Sequence, residues 1–184
     1  MARVTTRRGD DGTTGIIGPR RVRKDHPRIE LLGALDEAVS ALGLARSLSG
    51  DPRVRDVVEM VQRDLYRLMA MVSTMRGDAP AHIVPADVAR LEATQDRLRE
   101  VVAIAPSFVV PGTTAAGAAV DLARAIVRRA ERRAVALAAR WDEQNPVLPY
   151  LNRCSDLLFV LARYDEARQG VEAPRQARSS ADRA

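Results

Sequence analysis

Aromatic side chains make up only 3% of this 184-residue chain, although 46% of its residues are hydrophobic. The core must therefore be assembled from Leu, Val and Ala, which suits packed helices better than sheets, where aromatic and β-branched residues are favoured. Cysteine occurs once, at Cys154, which excludes an internal disulfide framework and agrees with a cytoplasmic location. Histidine occurs twice. His26 and His82 stand in polar, loop-like contexts and make no metal-ligand spacing with Cys154, which argues against a protein-built zinc site. No stretch approaches the roughly 18 uninterrupted apolar residues of a membrane span, and the arginine-rich start lacks the apolar segment of a secretory signal. Lysine is scarcer still: of 29 basic residues only Lys24 is not an arginine.

What is present fills one domain with a real core, at 184 residues and 20.1 kDa. A net charge of +5 and a pI near 10.3 raise a nucleic-acid hypothesis. The distribution opposes it, because beyond Arg28 acidic residues interrupt the arginine runs and leave no single basic block.

Residues 1–26 hold no sustained period and read as an extended loop rich in Gly, Thr, Asp and Arg. Pro27 suits the first turn of a helix, and Leu32, Leu35, Val39 and Leu42 carry that helix to about Leu48. Pro52 opens a second helix with Val54, Val58, Val61, Leu65, Leu68 and Val72 on one face. A third places Val88, Leu91, Leu98 and Val101 together. After the Pro-bracketed run Phe108-Val109-Val110, Thr113 or Thr114 caps a fourth helix reaching about Trp141. The fifth runs from about Val147 to Ala167, with Leu151, Leu158 and Leu161 inward. The expectation is an all-α, five-helix bundle in one domain over residues 1–170, with 171–184 a polar, disordered tail.

Five segments carry polar chemistry. Thr5 to Gly15 contains three glycines and several threonines, a composition that lets backbone N–H groups and hydroxyls turn toward an anion. Neither a P-loop lysine nor a βαβ unit accompanies it, so a flexible loop is the competing reading. Lys24-Asp25 ends that segment, and Asp36-Glu37 lies early in the first helix, where the dipole favours carboxylates. In the fourth helix Arg124, Arg128 and Glu131 fall at i, i+4 and i+7 beside the stripe of Ile126, Ala130 and Leu137. Such a guanidinium row is met by neighbouring carboxylates, by ligand phosphates, or by water alone. In the fifth helix Asn152 and Asp156 share a face, and buried polar groups there need partners, with the arginine helix as neighbour. No Ser/His/Asp or Cys/His set is present, and Cys154 and Trp141 read as packing residues.

In this order the segments resemble the PduO-type cobalamin adenosyltransferases (ATP:corrinoid adenosyltransferases) from roughly Thr5 to Arg163. The residues that carry the resemblance are Thr6-Arg7-x-Gly9-Asp10-x-Gly12-Thr13-Thr14, Lys24-Asp25, Gly33-x-x-Asp36-Glu37, Ser107 to Gly112, Arg124-x-x-x-Arg128-Arg129-Ala130-Glu131-Arg132, and Tyr150-Leu151-Asn152-Arg153-x-Ser155-Asp156. It implies a homotrimer with active sites between subunits, transferring the 5′-deoxyadenosyl group of ATP to cob(I)alamin. By resemblance ATP falls to Thr6, Arg7, Arg8, Gly9, Thr14, Gly15, Lys24, Arg128, Arg129, Glu131, Arg132 and Asn152. Lys24, Arg128 and Glu131 stand nearest the chemistry, and Mg²⁺ rides on the phosphates rather than on protein side chains. Phe108 borders the corrinoid, and Asp36 and Arg124 form an intersubunit ion pair. The implied partners are a corrinoid reductase and an acceptor enzyme that uses adenosylcobalamin. Arg8, Val39, Met71 and Thr113 depart from the usual pattern, and motivate an alternative: a trimeric ATP- or corrinoid-binding paralogue with impaired turnover.

Overall fold

Proline opens three of the helices, where a missing N–H costs nothing and the fixed φ is already helical. The computed structural model of the protein describes residues 5, 7–74, 82–104, 108–138, 141, 145–173 and 175–177. Helix α1 spans Pro27–Leu48, with the His26 ring accepting from the Arg28 amide at 3.1 Å. Helix α2 spans Pro52–Ser73, capped by Asp51, which accepts from the Arg53 amide at 2.8 Å. Helix α3 spans Pro85–Arg99, and the Asp87 carboxylate reaches back to the Val84 amide at 2.9 Å. Helix α4 spans Ala115–Ala138, its first turn capped by the Thr114 hydroxyl, which accepts from Gly117 at 3.0 Å. Helix α5 spans Val147–Arg168, after Asn145 accepts from the Val147 amide at 3.0 Å.

α4 lies between α1 and α5, α2 packs on α1, α3 packs on α5, and a smaller α2–α5 contact closes the bundle. Its core is leucine, valine and alanine. Leu31, Leu35, Leu42, Leu65, Leu68, Leu91, Leu151, Leu157 and Leu158 are fully buried, each worth about 1.5–3 kcal/mol relative to exposure. Small residues face inward where α1 meets α4: Ala34, Ala38, Ala41 and Ala45 from one, and Ala116, Ala119, Ala123, Ala130 and Ala134 from the other.

The structure departs from expectation in four places. The N-terminal segment is not all loop: β1 (Thr13–Gly15) and β2 (Arg21–Arg23) form an antiparallel hairpin with Thr14 opposite Val22. Gly18, at φ 111°, supplies the left-handed residue its turn needs. Val101 is 54% exposed rather than on the core side, because α3 has already ended and Val102 packs on the core instead. The fourth helix ends at Ala138, and Trp141 lies outside it, half-buried against the core. The tail is not wholly without structure. Val110 donates to the Arg175 carbonyl at 2.7 Å and Ala177 to the Phe108 carbonyl at 2.8 Å, making a bridge between Val109 and Gln176. Backbone groups drive that pairing, so a stretch without large apolar side chains still forms it.

Candidate functional site

Two groups of candidate residues are built by different parts of the chain. In the hairpin, Lys24 donates from its amide to the Gly12 carbonyl at 2.9 Å and from its ammonium to the Gly9 carbonyl at 2.8 Å. A Cβ at Gly9 would stand 3.3 Å from both Lys24 Nζ and the Thr13 carbonyl, so glycine is what lets the lysine close over the loop. Asp11 accepts from the Thr13 hydroxyl at 2.7 Å and the Thr13 amide at 2.9 Å, bonds that hold its carboxyl below the usual range. Arg21 donates to the Thr13 hydroxyl at 2.8 Å and to the Arg8 carbonyl, tying the loop to β2. Arg7 adopts φ 59°, a left-handed conformation uncommon outside glycine. Thr14 and Gly15 lie in β1, opposite Val22 and Arg21. Thr6 falls outside the described residues.

The second group spans α4 and α5. The Asn152 amide donates to the Glu131 carboxylate at 3.2 Å, the meeting of helices expected from the sequence. Arg132 donates to the Arg128 carbonyl at 3.1 Å, and both arginines are exposed. Arg129 turns the other way and pairs with Glu37 of α1, as Arg133 does with Glu30. Arg129 and Arg133 thus meet carboxylates, while Arg128 and Arg132 lie on an open face. Beside that face lies a cleft of about 280 Å³ whose walls include Arg124, Arg128, Ser155, Asp156 and Phe159.

Arg124 donates through Nε to Asp121 at 3.4 Å, and its guanidinium lies 5.9 Å from the centre of the Phe159 ring. Asp36 is exposed and has no ion-pair or hydrogen-bond partner among the described residues. Asp156 is exposed rather than buried and approaches Arg153 at 3.8 Å, so it needs no buried network. Phe108 is 87% exposed, so its ring fills no part of the core. Cys154 is fully buried, and burial pushes its thiol well above the ordinary range, so no thiolate is on offer. Val39 is buried in the core and Met71 packs against it, so these two departures alter packing rather than the cleft. Thr113 is exposed.

Among the described residues the strands of the hairpin contact each other and none of the five helices. Among the described residues no group of three or more His, Cys, Asp or Glu is placed to hold a metal ion.

Two ion networks escaped the sequence reading. Asp64 accepts from Arg67 at 3.0 Å, Arg90 at 2.6 Å and the Tyr150 hydroxyl at 3.0 Å, joining α2, α3 and α5. Arg163, Asp121 and Glu166 form a second buried set. The available signal was Arg163 itself, a charge four residues from Phe159 on an otherwise core-facing helix.

The profile of the cobalamin adenosyltransferase family matches residues 4–165. The chain is 40% identical over 170 residues to a corrinoid adenosyltransferase of Mycobacterium tuberculosis, covering 89% of this chain and 88% of that one. It is 36% identical over 167 residues to the corrinoid adenosyltransferase PduO of Salmonella typhimurium, but spans only 50% of that relative's length. Among solved structures, a variant PduO-type ATP:corrinoid adenosyltransferase from Lactobacillus reuteri, complexed with cobalamin and ATP, superposes with a TM-score of 0.84. It shares 30% identity with this chain, over 96% of this chain and 100% of that one.

Proposed function

This chain belongs to the cobalamin adenosyltransferase family, and from that membership we propose that it transfers the 5′-deoxyadenosyl group of MgATP to cob(I)alamin. Cobalt(I) of the substrate supplies the electron pair: a cobalt–carbon bond forms at the ribose C5′, the C5′–oxygen bond breaks, and triphosphate leaves. What supports the reading is the solved relative that holds both cobalamin and ATP and superposes on nearly the whole chain.

The nucleophile belongs to the substrate, so the protein needs neither a catalytic base nor a thiolate, and the buried Cys154 offers none. Its task is positioning and charge stabilisation. Lys24, Arg128 and Arg132 would meet the triphosphate as negative charge grows on the leaving oxygen. Glu131 accepts from the Asn152 amide at 3.2 Å and Arg153 donates to the Asn152 side-chain carbonyl, so both ends of that side chain are held. Mg²⁺ would enter on the phosphates of ATP. Arg7, Arg8, Gly9, Thr14 and Gly15 line the loop beneath Lys24, and the exposed ring of Phe108 would lie against the corrin.

Among the described residues the strands of the hairpin contact no helix, which supports a site whose two halves come from neighbouring chains. A homotrimer with Asp36 of one chain facing Arg124 of the next completes it. A corrinoid reductase would supply cobalt(I), and an adenosylcobalamin-dependent enzyme would take the product. The test is ³¹P NMR of an anaerobic reaction with ATP and cob(I)alamin. Free triphosphate should appear in step with adenosylcobalamin; release of diphosphate, or of phosphate alone, would defeat the proposed chemistry.

A further inference from the structure

Asp121, Arg163 and Glu166 are charged side chains that the proposed reaction does not use, and all three are buried. Arg163 donates to Glu166 at 2.7 and 3.0 Å and to Asp121 at 2.6 Å. Two carboxylates against one guanidinium leave this set with an excess negative charge, which burial makes costly. Arg124 supplies the missing positive charge through its Nε, 3.4 Å from the other Asp121 oxygen. Both guanidiniums also lie over the same ring, at 5.9 Å for Arg124 and 5.3 Å for Arg163 from the centre of Phe159.

This arrangement engages only one edge of the Arg124 fork. Its terminal nitrogens have no hydrogen-bond or ion-pair partner among the described residues, and the side chain is only half-buried. A guanidinium is planar with five donors, so fixing Nε on one carboxylate aims the opposite edge in a set direction. The matching acceptor, Asp36, is exposed and likewise has no hydrogen-bond or ion-pair partner among the described residues.

We propose that Asp121 is a positioning residue of the subunit interface: anchored by buried Arg163, it holds Arg124 by Nε so that the terminal nitrogens meet Asp36 of a second copy of this chain. The inference rests on the assembly reading given above, and it assigns to Asp121 and Arg163 the task of aiming a contact they do not themselves make. It also accounts for a buried ion set where packed apolar residues would hold the helices as well.

Sedimentation velocity over a dilution series of the full chain tests it, using the parent, Asp36→Asn, Asp121→Asn, the double variant and Arg124→Lys. Asp36→Asn and Asp121→Asn should each weaken trimer formation about tenfold, and the double variant should be no weaker than Asp36→Asn alone. With the carboxylate across the interface removed, aiming Arg124 no longer matters. Arg124→Lys keeps the charge but cannot serve two carboxylates from opposite edges, so it should weaken assembly about as much as Asp121→Asn does. If Asp121→Asn does not fold, Arg124→Lys decides the matter alone. Losses that add in full, or an Arg124→Lys variant that assembles like the parent, overturn the role of Asp121. A parent that stays monomeric overturns the assembly reading itself.

Discussion

Lys24 gives its ammonium to a neutral carbonyl, that of Gly9, and not to a carboxylate. Among the described residues no carboxylate pairs with it, whereas Arg129 and Arg133 are already paired with Glu37 and Glu30. Charge-assisted contacts to phosphate are worth about 1.5–3 kcal/mol. Lys24→Ala and Arg128→Ala should each raise the ATP concentration needed for half-saturation about tenfold or more, as read by calorimetry with MgATP. Arg129→Ala should raise it far less, because its guanidinium faces α1. Phe108 yields a second residue-level prediction. A ring 87% exposed contributes little to stability, so Phe108→Ala should shift unfolding by no more than about 0.5 kcal/mol. Adenosylation starting from cobalt(II) should nevertheless fall well below that from pre-reduced cobalt(I), if the ring keeps water off the lower face of the corrin. Equal loss of stability and of both activities would make it a packing residue. The sequence disclosed Lys24 through its scarcity, but Asp121 and Arg163 stayed hidden. An arginine in an apolar run reads as a solvated charge until the structure shows two carboxylates closing around it.

At the scale of elements, the starts of α1, α2 and α4 were legible because their signals are local: Pro27 and Pro52 at the first turn, and Thr114 before α4. Pro85, which reads as the end of a loop, instead opens α3. What the sequence hid is pairing between distant backbones, namely the hairpin and the bridge of Val109 to Gln176, neither of which leaves a side-chain period. The α4–α5 crossing makes a prediction of its own. A Cβ at Gly117 would stand 2.7 Å from the Thr114 hydroxyl, which caps α4 and donates to Asp165 at 2.9 Å. Gly117→Ala must push that hydroxyl aside and should destabilise the chain by about 1–3 kcal/mol, despite the better helix propensity of alanine. Denaturant unfolding at constant slope would show it; a gain in stability would mean that the cap relocates at no cost.

At the scale of the whole molecule, buried ions tie helices together: Asp64 and Asp87 join α2 to α3, and Asp121 with Arg163 joins α4 to α5. Burial pushes the Asp87 carboxyl up, but Arg67, the Val84 amide and Arg90 outweigh it and hold the group below its ordinary range. A carboxyl whose folded value is lowered stabilises fully above the ordinary range and loses that contribution as pH falls through the folded value. Thermal unfolding should therefore stay level from neutral pH down to about 5 and drop below about 4. Asp87→Asn should be less stable at pH 7, yet show a shallower acid drop. The trimer is implied by resemblance alone, because the pattern in one chain says nothing about the next. In the proposed trimer the nucleotide loop of one chain serves the arginine helix of another. Lys24→Ala and Arg128→Ala should each be nearly inactive alone, since every site then lacks one of the pair. Co-expressed and purified as mixed trimers, they should form adenosylcobalamin from ATP and cob(I)alamin at about a quarter of the parent rate, the share of interfaces that draw both intact residues. Mixed trimers as inactive as either variant would contradict the shared site.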